Sequence, residues 1–182
     1  MGKKVFTNDD YNSNDGMLTS VWGPALWHSL HTMSFNYPVK PTKEQKLYYY
    51  NFFTNLKDVL PCKYCRENYE KNISVKPITD KVLKNRENFS KWLYEIHETV
   101  NKNLNKSSGL TYEDVRDRYE HFRSRCLANP NEKKTVKKET EPKEKGCTEP
   151  LYGVKSKCVL NIVPKDTKVK TFKMDPKCKI KK

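Results

Sequence analysis

The chain has 182 residues, enough for one compact domain of ordinary size and a tail. Hydrophobic residues make up 35% and charged residues 32%, so a core over part of the chain is expected, and no apolar run approaches the ~20 residues that cross a bilayer. The net charge of +14 is uneven: residues 129–182 hold 16 lysines, 7 acids and no arginine, which disfavours the bidentate base contacts of a sequence-specific nucleic-acid reader.

The first ten residues, Met1 to Asp10, lack the apolar stretch of a secretory signal and are too acidic for a transit peptide, so the expected location is the cytoplasm. Residues 1–20 are rich in Asn, Asp, Ser and Gly and read as a flexible lead-in. From Val21, the positions Trp22, Leu26, Leu30 and Met33 recur at helical spacing, with Trp27 and His31 on an adjoining stripe, until Tyr37-Pro38. Thr42-Lys43-Glu44-Gln45 has the form of a capping box and opens a second helix through Leu47, Tyr50, Phe53, Leu56 and Leu60. Pro61 sits where a further helix begins, followed at once by Cys62-Lys63-Tyr64-Cys65.

After Val75-Lys76-Pro77, an amphipathic stretch carries Phe89, Trp92, Leu93, Ile96, Val100 and Leu104, and Ser107-Ser108-Gly109 is its expected stop. Thr111 starts a last helix through Val115, Tyr119, Phe122 and Cys126, which makes Cys126 a buried helix residue. No convincing period-two alternation interrupts residues 21–126, and Cys158–Val163 is the one candidate strand beyond them. The predicted architecture is all-α: a four-helix bundle plus a short fifth helix over 21–126, then a lysine-rich, Cys-containing extension over 127–182.

A C-x-x-C places two sulfurs one helical turn apart. At a helix N-terminus, free amides and the macrodipole favour the thiolate, which is the chemistry of dithiol–disulfide exchange. Two other readings stay open for Cys62 and Cys65. One is half of a Cys2His2 zinc site completed by His28 and His31, in a helical module whose basic tail touches nucleic acid or another anionic surface. The other is a plain structural disulfide. Trp22, Trp27, His31, Trp92, His97 and Tyr119 lie on faces shared with core residues, and together they predict a flat-walled slot suited to a planar cofactor.

Four segments in order then resemble a known family. Gly23-Pro24-Ala25-Leu26-Trp27-His28-Ser29-Leu30-His31-Thr32 with Tyr37-Pro38 looks like the G-R-x-x-W-x-x-x-H-T…Y-P segment of the Erv/ALR FAD-linked sulfhydryl oxidases. Leu60-Pro61-Cys62-Lys63-Tyr64-Cys65 is similar to their Y-P-C-x-x-C, and the stretch from Trp92 to Leu104 to their W-L-C-x-x-H-N-x-V-N-x-x-L helix. Val115-Arg116-Asp117-Arg118-Tyr119 stands where the family has an R-W pair. Three positions differ: Pro24 replaces a frequent arginine, Glu98 an asparagine, and Tyr94 a cysteine of a structural disulfide whose partner near Thr111 is also missing. Pro24 and the missing disulfide are most like the branch found in large cytoplasmic DNA viruses.

The resemblance implies a helical bundle that holds FAD against the C-x-x-C, with Cys65 the flavin-proximal sulfur and Cys62 the one exchanged with incoming dithiols. It assigns Gly23, Trp27, His31, Tyr37, His97, Val100, Asn101, Leu104, Arg118 and Tyr119 to the cofactor, and no metal. It further implies thiol-containing substrate proteins or a thioredoxin-like relay, oxygen as acceptor with hydrogen peroxide as product, and a homodimer in host cytoplasm or virion. Cys147 and Cys158 are candidates for a shuttle pair that relays electrons to Cys62 and Cys65.

Overall fold

The computed structural model describes residues 6–127, 146–150, 158–160 and 172–174. The chain divides into two compact units, 1–119 and 120–182. In the first unit the elements are α1 (Asn8–Asn12), α2 (Thr19–Phe35), α3 (Lys43–Val59), α4 (Lys63–Val75), a 3-10 turn (Val82–Lys84), α5 (Arg86–Asn103) and α6 (Tyr112–Glu120), which runs to the border between the units.

Helix ends follow local side-chain chemistry. Thr42 caps α3: its hydroxyl accepts from the Gln45 amide at 3.2 Å, and the Gln45 side chain accepts from the Thr42 amide at 2.9 Å. Thr111 and Asp114 form the same reciprocal pair at α6, and Thr7 with Asp10 does so at α1, inside the stretch expected to lack structure. Helix α5 stops before Ser107-Ser108-Gly109. Asn105 adopts a left-handed φ of 53°, its amide bonds to Lys102 O at 3.0 Å, and the Lys106 amide bonds to Asn101 O at 2.8 Å. That is a Schellman closure with asparagine in the position glycine more often holds.

The core lies among α2, α3, α4, α5 and the 3-10 turn. Leu30, Tyr37, Phe53, Leu56, Leu60, Tyr69, Leu83, Phe89, Trp92, Leu93 and Ile96 form one buried cluster. Phe53 sits edge-on to both Phe89 (5.0 Å) and Trp92 (6.0 Å), the arrangement aromatic quadrupoles favour. The Tyr69 hydroxyl donates to Phe53 O at 2.8 Å, tying α4 to α3. A second cluster of Phe35, Tyr112 and Val115 seats α6, where Tyr112 and Ser90 share a buried hydroxyl pair at 2.9 Å.

In the second unit, β1 (Ser124–Leu127) pairs antiparallel with β2 (Gly146–Pro150), and β3 (Cys158–Leu160) with β4 (Phe172–Met174). Cys126 therefore lies in a strand and not at a helix end as expected. Helix α6 stops at Glu120, where Arg123 turns back onto the Glu120 carboxylate. The candidate strand is present over 158–160, while 161–163 lie outside the described residues. So does most of the lysine-rich stretch, and with it the expected anionic contact.

Phe53 and Phe52 are adjacent in sequence, but Phe53 is fully buried and Phe52 is 46% exposed. Phe53→Ala is expected to cost about 3–5 kcal/mol in urea unfolding, against less than about 1 kcal/mol for Phe52→Ala. Equal losses would refute this placement of the core.

Candidate redox site

The dithiol is built at the corner between α3 and α4. Pro61 cannot continue a helix, and the Cys62 amide folds back to Leu60 O at 2.8 Å, closing a three-residue turn. The Arg66 guanidinium donates to the same carbonyl at 2.7 Å. This turn makes Cys62 the N-cap of α4, where its sulfur accepts from the Cys65 amide at 3.3 Å. Thiol sulfur is a weak acceptor and a thiolate a strong one, so the helix start favours the ionised form.

Both cysteines are unbridged and half-buried, and their acidities are displaced in opposite directions. A hydrogen bond from the Cys65 side chain holds the Cys62 thiol below its ordinary value, with backbone donors helping. Burial, and then the contact with Cys62, push the Cys65 thiol up. Cys62 is thus the better thiolate and leaving group of the two.

A ring cluster forms where α2 meets α5 and α6. The Trp27 and His97 rings are parallel to within 6° with centroids 4.0 Å apart. His31 Nε2 and His97 Nδ1 share a hydrogen bond of 3.0 Å, and the Tyr119 ring lies 5.3 Å from His31. Burial, reinforced by His97 and His28, lowers the His31 pKa to about 3; burial also lowers His97. The two imidazoles are neutral at ordinary pH. His31 Nδ1 is buried with no partner among the described residues.

Thr19, Gly23, Trp27 and His31 follow one another at four-residue steps, so a single ridge of α2 runs from the dithiol to the ring cluster. Thr19 Oγ1 is 3.9 Å from Cys65 Sγ at one end. A Cβ at Gly23 would meet only Thr19 Cγ2, at 3.5 Å, so the buried glycine leaves a gap in the ridge. The flat face of the Trp27–His97 stack, a ridge gap and a neutral imidazole nitrogen with an unused bonding position fit a planar heteroaromatic group with a polar edge such as FAD. Asn101 is half-buried on α5, where its amide donates to Glu98 at 2.9 Å; the carboxylate that stands in for asparagine is thereby engaged within its own helix.

Several residues expected to line the slot lie elsewhere. Trp92 is buried in the main core with its indole N–H on Lys76 O at 2.9 Å, and Trp22 donates to Met17 O at 2.9 Å. Tyr37 is also a core residue, stacked on Phe89 at 4.7 Å with its hydroxyl on Leu83 O at 2.9 Å, and burial raises its pKa to about 12. Val100 is half-buried on α5, while Leu104 and Arg118 are exposed. His28, read from sequence only as a zinc candidate, instead meets the Tyr119 hydroxyl at 3.3 Å. The zinc alternative is not supported: His28 and His31 are engaged with rings, and among the described residues no three His, Cys, Asp or Glu gather to hold a metal. Cys147 is exposed and disulfide-bonded; the side chain of Cys158 lies outside the described residues.

Over 99 residues the chain is 42% identical to a probable FAD-linked sulfhydryl oxidase of Acanthamoeba polyphaga mimivirus, covering 54% of this chain and 68% of that protein. An FAD-linked sulfhydryl oxidase of African swine fever virus is 30% identical over 99 residues, with 54% and 80% covered. The chain spans less of the Arabidopsis thaliana ERV1 oxidase, 42% of its length, at 36% identity over 84 residues and 46% of this chain. The crystal structure of the yeast Erv1 core superposes with a TM-score of 0.52 at 25% identity, covering 65% of this chain and 92% of that one. The sequence profile of the Erv1 / Alr family matches residues 24–120. By that match, and by the helical bundle and C-x-x-C it encloses, this chain belongs to the Erv1 / Alr family.

Proposed function

We propose that the chain is an FAD-dependent thiol oxidase that makes disulfides in thiol substrates. The observation that carries this reading is the unbridged Cys62–Cys65 pair, of split acidity, at one end of an α2 ridge whose other end holds a neutral cluster of flat rings. Relatives named as FAD-linked sulfhydryl oxidases support it.

In the exchange itself, a substrate thiolate attacks the Cys62 sulfur of the oxidised pair and Cys65 departs. The second substrate thiol then displaces Cys62, whose lowered pKa makes it a good leaving group. Trp27, His31, His97, Asn101 and Tyr119 are the residues to hold the cofactor, with Val100 and Leu104 extending the α5 wall, Gly23 supplying the gap and Arg118 a cation for phosphate or adenine. Tyr37 supports the core behind them. FAD bound there supplies a two-electron acceptor that oxygen regenerates with release of hydrogen peroxide. Neutral imidazoles at His31 and His97 keep cationic repulsion out of the cluster and leave His31 Nδ1 available as a hydrogen-bonding group.

The reading extends to protein dithiols or a thioredoxin-like relay as electron donors, a homodimer, and a cytoplasmic or virion setting. Among the described residues no helix is long and apolar enough to cross a membrane. Cys147 and Cys158 remain the proposed shuttle pair, and 1–20, 21–126 and 127–182 the proposed divisions.

The purified chain is expected to show a flavin absorption band that bleaches with an anaerobic dithiol and returns in air. A colourless protein that takes up no added FAD would sink the reading. Cys65→Ser is expected to abolish oxygen consumption while the flavin band remains; full activity in that variant would refute the role of Cys65.

The histidine pair gives a pH signature. The folded His31 value lies below its ordinary 6.5, so between about pH 6.5 and 3 the unfolded chain binds more protons. Stability should hold above that window and fall as pH drops through it, by up to about 1.4 kcal/mol per pH unit. His31→Gln, which cannot titrate, should flatten part of that fall in urea unfolding series; identical acid profiles would contradict a neutral buried His31.

A further inference from the structure

Gly16, Met17 and Thr19 belong to none of the segments that identify the redox site, yet they line its dithiol. A Cβ on Gly16 would lie 2.8 Å from Pro61 O and 2.9 Å from Cys62 Cα, so only glycine lets the chain approach this closely without displacing backbone. The Met17 amide donates to Pro61 O at 2.7 Å, and the Trp22 indole N–H holds Met17 O at 2.9 Å. This strap delivers Thr19, the first residue of α2, to Cys65. The Thr19 methyl faces Gly23 and its hydroxyl lies 3.9 Å from Cys65 Sγ.

We propose that Thr19 is a further catalytic residue of the thiol-exchange step, donating its hydroxyl hydrogen to the Cys65 sulfur as that sulfur becomes negative, with Gly16 and Met17 as positioning residues. The proposal rests on the thiol-exchange reading of the C-x-x-C. In the oxidised enzyme, the substrate thiolate forms a bond to Cys62 Sγ, the Cys62–Cys65 bond breaks, and its electron pair passes to Cys65. Cys65 is the sulfur that burial makes the poorer thiolate, so the first exchange places charge where the protein least favours it. Thr19 supplies a hydrogen-bond donor there, and the Arg66 charge acts in the same direction. A long contact to the neutral thiol shortens when the acceptor gains charge, as catalytic hydrogen bonds commonly do. The second substrate thiol then displaces Cys62, and the bond to Cys65 lasts until that sulfur gives up its charge.

The test uses the reduced 182-residue chain and initial rates of iodoacetamide alkylation, resolved to Cys62 and Cys65 by peptide mass spectrometry across pH 6–11. This readout needs neither oxygen nor bound FAD, so its outcome is separate from that of the oxidase reading. Thr19→Val preserves shape without the hydroxyl. It is expected to raise the Cys65 midpoint by about one pH unit and slow its alkylation near pH 7 about tenfold. Thr19→Ala should do the same and Thr19→Ser should stay within about twofold of the parent. Gly16→Ala, which lifts the strap, should move Cys65 in the direction of Thr19→Val. Thr19 is exposed, so the three Thr19 variants are expected to melt as the parent does. An unchanged Cys65 profile in Thr19→Val and Thr19→Ala would overturn the proposal. So would a loss that Thr19→Ser fails to rescue, which would assign the effect to packing.

Discussion

The turn at Pro61 is the constraint on which the redox chemistry hangs. Its two outward carbonyls are satisfied from different parts of the chain: Leu60 O by the Cys62 amide and Arg66, and Pro61 O by Met17. Because both are held, α4 starts at a defined angle and its first free amides point at sulfur. A looser corner would leave the same two cysteines one turn apart but with no helix end beneath them, and their acidities would draw together. The tuning of the pair therefore belongs to both: the C-x-x-C supplies the bond from Cys65 that holds Cys62 down, and the corner adds the backbone donors.

The second requirement is that α2 touch two different chemistries along one ridge. Residues at four-residue steps lie close enough on a helix to present a continuous edge, and here the edge carries a hydroxyl, a gap, an indole and an imidazole in that order. The packing of α2 against α5 fixes the far end through the Trp27 stack and the His31–His97 bond. The near end is fixed by the strap that precedes the helix. Pro24, in the second turn, removes one amide that would otherwise bond to the Ser20 carbonyl, and the helix runs on through it.

Much of this was legible in the sequence because its causes are local. The Thr42 capping box, the apolar face of α5 and the dithiol at a helix start each depend on residues within a few positions of one another. Other features depend on distant partners. Nothing near Tyr37 or Trp92 distinguishes a core aromatic from one lining a slot; Leu83 O and Lys76 O decide it, 46 and 16 residues away. Gly109 looked like the stop for α5 and does adopt a positive φ of 65°, but Asn105 had already closed the helix. The end of α6 misled for a related reason: Phe122 and Cys126 continue a helical spacing, while pairing with residues 146–150 draws the backbone into a strand. Gly16 and Thr19 carried no signal, since an exposed threonine and a glycine in a polar stretch announce no contact with sulfur.

The strap also separates two borders that are easily taken as one. The family match begins at residue 24, whereas the surroundings of the dithiol begin at Gly16. A chain trimmed to the matched residues would keep both cysteines, the C-x-x-C spacing and every residue of the ring cluster. It would lose the covering on one side of Pro61 and Cys62, the donor to Pro61 O and the hydroxyl beside Cys65. Such a protein would still be recognisable as a relative while its sulfurs worked in a different solvent. What members of a family share and what a given member needs for its chemistry need not end at the same residue.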